Sequence, residues 1–107
     1  MTTTSKLTGA ALDWAVHVAL YGTCEGYSPY AYSSDWSLGG PIIERELIEL
    51  GTSCEGGWFA CMNNDIDTIA MLHYASAPTP LIAAMRCHVA SKLGDEVEVP
   101  EELTQAT

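Results

Sequence analysis

Apolar residues recur at helical spacing in two long stretches of the chain and alternate with polar ones in shorter segments between them. From Leu7, the positions Leu7, Ala11, Trp14, Val18 and Tyr21 fall at alternating steps of four and three and draw one continuous helical stripe. Leu12, Ala15, Val16 and Ala19 widen the stripe, and only Asp13 and His17 interrupt it. A helix apolar over so much of its circumference is buried from more than one side, by a sheet and a second helix or by a second subunit. The spacing predicts a helix over about 8–21, capped by Thr8 and ended by Gly22.

The stretch TPLIAAMRCHVASKLG, Thr79 to Gly94, carries the strongest helix signals. Thr79 is a good N-cap, Pro80 suits the first helical position, Lys92 lies in the last turn and Gly94 can take a left-handed cap conformation. Ile82, Met85, Val89 and Leu93 form an apolar face. Ala83, Arg86, Cys87 and Ala90 form the other face, small enough to allow close approach.

The segments between these helices read as a sheet and loops. TCEGYSPYAYSSDW, with Pro29 and several serines, predicts a loop or a short edge strand bearing Tyr27, Tyr30, Tyr32 and Trp36. Such a loop either binds a ligand through rigid aromatics or folds back over the core. Gly39-Gly40-Pro41 opens a short helix, and Leu47–Leu50 and Trp58–Met62 form a hairpin with Ile48 and Leu50 inward and Glu49 outward. NNDIDTIAMLHYA fits a short helix from an Asp65 cap to Tyr74 better than a strand, and Ala75–Pro78 then links it to the C-terminal helix. Val97 and Val99 alternate with acids as an extended edge segment before Pro100. The pattern as a whole predicts an α+β fold, two main helices packed on a small antiparallel sheet. It is a single domain over 1–107, with a frayed N-terminus (1–6) and an acidic C-terminal tail (100–107).

Composition narrows the function. The chain has 107 residues and 48% hydrophobic content, enough for one core and too much for disorder. It has no apolar run long enough for a membrane span, and MTTTSK lacks the apolar core of a signal peptide, so a cytoplasmic location is expected. Fourteen acidic residues against four basic give a net charge of −10, which repels nucleic acid and anionic lipid. Cys24, Cys54, Cys61 and Cys87 form no CxxC pair, and His17, His73 and His88 fall at no zinc spacing. Reduced thiols, no metal and no cofactor are expected. G-x-S-x-G, the P-loop and GxGxxG are all missing, and Cys87 and His88 are helix neighbours that diverge by about 100°, so no catalytic residue is assigned and the protein is expected not to be an enzyme.

Two features point to binding instead. Gly39-Gly40-Pro41 and Thr79-Pro80 introduce helix N-termini whose unpaired amides attract phosphate. Arg86 can add a charge-assisted bond, while Tyr30, Tyr32 and Trp36 can stack on a base. The competing reading makes Thr79 a plain cap and pairs Arg86 with Glu44 or Glu46.

SSDWSLGGPIIERE, the Trp-bearing strand after it, TPLIAAMRCHVASKLGDEVEVPEEL and the opening LTGAALDWAV resemble the NinX-like family of small phage proteins. The likeness covers most of Leu7 to Leu103 and is weakest over Cys24–Tyr32 and Asn63–Ala77. It implies a phage accessory protein acting in the cytoplasm of a bacterial host. The expected function is counter-defence, by non-catalytic sequestration of a small nucleotide-like signal at Tyr30, Tyr32, Trp36, Gly39, Gly40, Thr79 and Arg86. The alternative is an acidic nucleic-acid mimic that inhibits a basic host defence protein. The apolar breadth of the N-terminal helix predicts a homo-oligomer.

Overall fold

The computed structural model describes residues 2–24, 26, 28, 30–52, 56–63, 72–100 and 103. Along the chain run β1 (Thr2–Thr3), a 3₁₀ turn (Thr4–Lys6), α1 (Gly9–Tyr21), α2 (Trp36–Glu46), β2 (Glu49–Thr52), β3 (Trp58–Asn63), β4 (Leu72–Ala77), α3 (Pro80–Leu93) and β5 (Glu96–Val97). The α+β class holds: among the described residues two long helices, α1 and α3, and the expected shorter one, α2, accompany an antiparallel sheet.

α3 is the centre. Its start is fixed as the sequence predicts: the Thr79 hydroxyl accepts from the Ile82 amide at 3.2 Å, and Pro80 opens the first turn. Every residue from Leu81 to Val89 except half-buried Ile82 is buried, so no face of its middle turns is left to water. The sheet β2–β3–β4 packs against α3, and so do α1 and α2. α1 thus packs mainly on α3 rather than on the sheet. Its Leu12, Ala15 and Val16 are fully buried with Met85 and Val89 of α3 in one core. Each such large apolar side chain contributes roughly 1.5–3 kcal/mol by leaving water.

The sheet is antiparallel, with Leu50, Ala60 and Ala75 aligned across its three strands. Ala60 and Ala75 are buried, and alanines there, like Ala83 and Ala84 of α3, permit close approach. The hairpin of β2 and β3 agrees with expectation: Ile48 is buried and Glu49 exposed. β4 corrects two expectations. Leu72–Tyr74 and the supposed linker Ala75–Ala77 form one strand paired with the whole length of β3. The remainder of the expected helix, 65–71, lies outside the described residues. Local propensity could not distinguish the states, and an available partner strand did.

α2 also begins earlier than expected. Asp35 accepts from the Ser37 amide and hydroxyl, at 2.9 and 2.6 Å, and caps a helix that starts at Trp36, so Pro41 is inside it. Leu47, expected to begin a strand, instead ends α2 in the left-handed conformation at φ 55°.

Thr2, Thr3 and Thr4, in the segment expected to fray, have partners near the C-terminal end of the chain. Thr2 and Thr3 pair with Val97 and Glu96. The Thr4 amide donates to Asp95 O and its hydroxyl to Gly94 O, both at 2.7 Å. Leu103, in the expected tail, is fully buried; residues 101–102 and 104–107 lie outside the described ones. No described helix is long and apolar enough to cross a membrane.

Candidate functional site

A cleft of about 580 Å³ opens between the C-terminal half of α1, the loop before α2, α2 itself and the last turns of α3. One wall is aromatic and is assembled by the polar residues of α1. Asp13, His17 and Tyr21 recur at steps of four and so share a helix face. Asp13 Oδ1 accepts from the Ser33 amide at 2.8 Å, and His17 Nδ1 lies 3.2 Å from the Tyr32 hydroxyl. The His17 ring lies 4.7 Å from Tyr21 and 6.3 Å from Tyr30, and Tyr30 and Tyr32 are 5.8 Å apart. Burial raises the Asp13 pKa, opposed by the bonds from Ser33. Burial, helped by nearby Tyr21 and Tyr30, pushes the Tyr32 phenol up to about 12, so it stays a neutral donor. Tyr21, Tyr30 and Tyr32 all line the cleft, and Tyr21 and Tyr30 are exposed.

The other end is polar. Arg45 and Glu46 come from α2, His88 and Lys92 from α3. Lys92 Nζ lies 3.0 Å from Glu46 Oε1, and His88 Nδ1 lies 3.7 Å from the same oxygen. Burial raises the Glu46 pKa, but the bond and charge of Lys92, with His88 and Arg45, bring it below its ordinary value. His88 has no exposed surface, and among the described residues neither ring nitrogen has a hydrogen-bond partner. Burial drives its pKa down to about 4; Glu46 opposes this, while Lys92 and Arg45 add to it. Two of the chain's four basic residues therefore border one cleft, with Glu46 as the counter-charge among its lining residues.

The structure separates the residues singled out from sequence. Tyr30 and Tyr32 line the cleft. Gly39 stands behind it: a Cβ there would come within 2.5 Å of Leu81 Cδ1 and 2.7 Å of Tyr32 O, so the missing side chain lets α2 seat the Tyr32 turn against α3. Neither Gly39 nor Gly40 stands at a helix N-terminus, and the Gly39 amide already donates to Asp35 O at 2.9 Å. Trp36 is half exposed at the start of α2 and does not line the cleft. Thr79 caps the end of α3 remote from Lys92.

Arg86 is placed elsewhere and pairs with neither Glu44 nor Glu46. It is 8% exposed, and its Nε donates to Leu7 O and its Nη1 to Ser76 O, both at 2.8 Å. Two residues along a helix turn through about 200°, so Arg86 and His88 point to nearly opposite sides. Arg86 borders a separate recess of about 300 Å³ with Thr4 and Asp95.

Sequence reasoning missed Arg45, Glu46, His88 and Lys92 as one group. Part of the signal was present: His88 and Lys92 stand four apart on a helix and share a face. Their meeting with Arg45-Glu46 needed the α2–α3 packing. Among the described residues no group of three His, Cys, Asp or Glu converges as a metal site. Burial raises the pKa of Cys24, Cys61 and Cys87, that of Cys87 to about 12; Cys54 lies outside the described residues.

Residues 3–92 match the family described as Bacteriophage P22, NinX. No curated protein matches the chain.

Proposed function

The chain belongs to the bacteriophage P22 NinX family, and from that premise we propose that it is a phage accessory protein that binds a small nucleotide-like molecule in the cleft between α1, α2 and α3. It acts by sequestration, without catalysis, in the cytoplasm of the infected host, and removes a signal on which host defence depends. The observation that carries this reading is the pairing of an aromatic wall with a basic end in an otherwise acidic protein. Tyr21, Tyr30 and Tyr32 offer rings, and Arg45 with Lys92 exceeds Glu46 by one positive charge. A volume of about 580 Å³ suits a small molecule, for which pockets run from about 300 to 1,000 Å³. Base stacking on such rings contributes about 1–3 kcal/mol per base, and a bidentate guanidinium suits phosphate.

Incubating the purified protein with lysate of a defence-activated host, denaturing it and analysing the released small molecules by mass spectrometry tests this. A nucleotide released from the parent but not from a Tyr30→Ala/Arg45→Ala variant is expected. Equal recovery from both, or none from the parent, removes the assignment. The runner-up, an acidic inhibitor of a basic host protein, is favoured by the net charge of −10. It predicts a salt-sensitive complex with a host protein that the double variant still forms.

A further inference from the structure

His88 is the least explained side chain in the cleft. It is among the residues bordering the cavity, its imidazole has no exposed surface, and both ring nitrogens lack a hydrogen-bond partner among the described residues. An unsatisfied buried polar group is costly, and an apolar residue at this position in the buried middle of α3 would avoid the cost. Glu46 does not resolve it: the nearer ring nitrogen is 3.7 Å away, beyond a hydrogen bond, and the same carboxylate oxygen is held by Lys92 at 3.0 Å.

We infer that His88 is a ligand-binding residue of this cleft, receiving a phosphate oxygen between Arg45 and Lys92, and that binding adds a proton to its ring. The inference rests on the proposed nucleotide-binding function of the same cleft. The groups facing His88 set the direction. From α2, Glu46 favours the protonated ring and Arg45 opposes it; from α3, Lys92 opposes it. Across the cleft, Tyr21, Tyr30 and Tyr32 are the titratable groups, and Tyr32 is held neutral. In the free protein burial and the two cations outweigh Glu46, and the ring is neutral. A phosphate oxygen brings a second negative charge beside the ring and offsets Arg45 and Lys92, so the protonated ring becomes the favoured donor. Admission of the anion requires Lys92 to leave Glu46 and follow the incoming charge. That pair is weakly held, because the lysine side chain is 43% exposed and exposed ion pairs contribute little.

Isothermal titration calorimetry with the four 3′,5′-cyclic nucleoside monophosphates tests this. Their phosphodiester does not titrate near neutrality, so any linked proton belongs to the protein. Titrations at pH 6.0 and 7.5, in two buffers of different ionisation enthalpy, count that proton directly on the parent protein. The expected result is net proton uptake for at least one cyclic nucleotide, with affinity rising toward lower pH by up to about tenfold per unit. The parent nucleosides should bind more weakly. His88→Gln, which can still hydrogen-bond but cannot titrate, should bind with no proton uptake and no pH slope. Binding with zero proton uptake overturns the role of His88 and leaves the cleft reading standing, as does an unchanged slope in His88→Gln. Failure of all four cyclic nucleotides and the nucleosides to bind overturns both.

Discussion

Arg86 holds two distant carbonyls at once, those of Leu7 and Ser76, from a position 8% exposed. Truncation leaves both acceptors without their charged donor, and hydrogen bonds to charged groups are worth about 1.5–3 kcal/mol each. Arg86→Ala should therefore lower the stability of the fold by more than about 2 kcal/mol, measured as a shift of the urea midpoint. It should leave cleft binding intact wherever the protein remains folded. Arg86→Lys should recover part of the loss, because an ammonium lacks the planar fork that reaches both carbonyls. Loss of ligand with an unchanged midpoint in Arg86→Ala would restore this residue to the binding site.

At the scale of elements, the cleft depends on how closely α2 approaches α3. Gly39 sets that distance, since a methyl group there meets both Leu81 and the backbone of Tyr32. Gly39→Ala should cost about 1–3 kcal/mol through overpacking. Unlike the arginine variants, it should also displace the aromatic wall. The measurement is a urea midpoint together with nucleotide titration: destabilisation with weakened binding is expected. A variant as stable as the parent would mean that α2 has room to move away from α3. The contrast with α1 is instructive. Its interrupting residues Asp13 and His17 hold the turn bearing Tyr32 and Ser33, so the polar breaks in the apolar stripe are what dock the loop.

At the scale of the whole molecule, acid and assembly give two tests. The folded pKa of His88, about 4, lies below its ordinary value of 6.5 because of burial, with smaller effects from Glu46, Lys92 and Arg45. As pH falls, the unfolded chain takes up this proton near 6.5 and the folded protein only near 4. Stability from this residue is full above about pH 6.5 and is lost between there and pH 4, by up to about 3 kcal/mol. Glu46, with its pKa lowered, adds a loss below its ordinary 4.5. Urea midpoints at pH 7.5 and 4.5 should differ less in His88→Leu than in the parent; an equal difference would show that His88 does not titrate in this window. For assembly, α3 and the aromatic loop cover much of the α1 surface from which an oligomer was expected. The proposal now rests on exposed Trp36 and Leu47, which do not line the cleft. Light scattering at micromolar concentration should show a dimer, and a monomer ends the proposal.

What the sequence determined is what neighbours along the chain decide. The extents of α1 and α3, the Thr79 cap, the Gly22 stop and the hairpin of β2 and β3 all depend on groups a few residues apart, and they were legible. So were the α+β class, the family resemblance, and Tyr30 and Tyr32 as aromatic candidates. Which helix faces are buried was not legible, since Ala83, Arg86 and Cys87 are buried while Ile82 and Leu93 are half-buried and Tyr21 is exposed. Tertiary structure decided whatever needed a partner far along the chain. Arg86 meets Leu7 across 79 residues and becomes a structural bridge; Thr4 meets Gly94 across 90 and holds the N-terminus. β4 is a strand because β3 offers it a full ladder of partners. Arg45 and Glu46 share a cleft with His88 and Lys92 only because α2 packs against α3, closely at Gly39. Helical period and capping are short-range and can be read locally. Which charges share a cleft is set by packing between elements, and no local pattern encodes it.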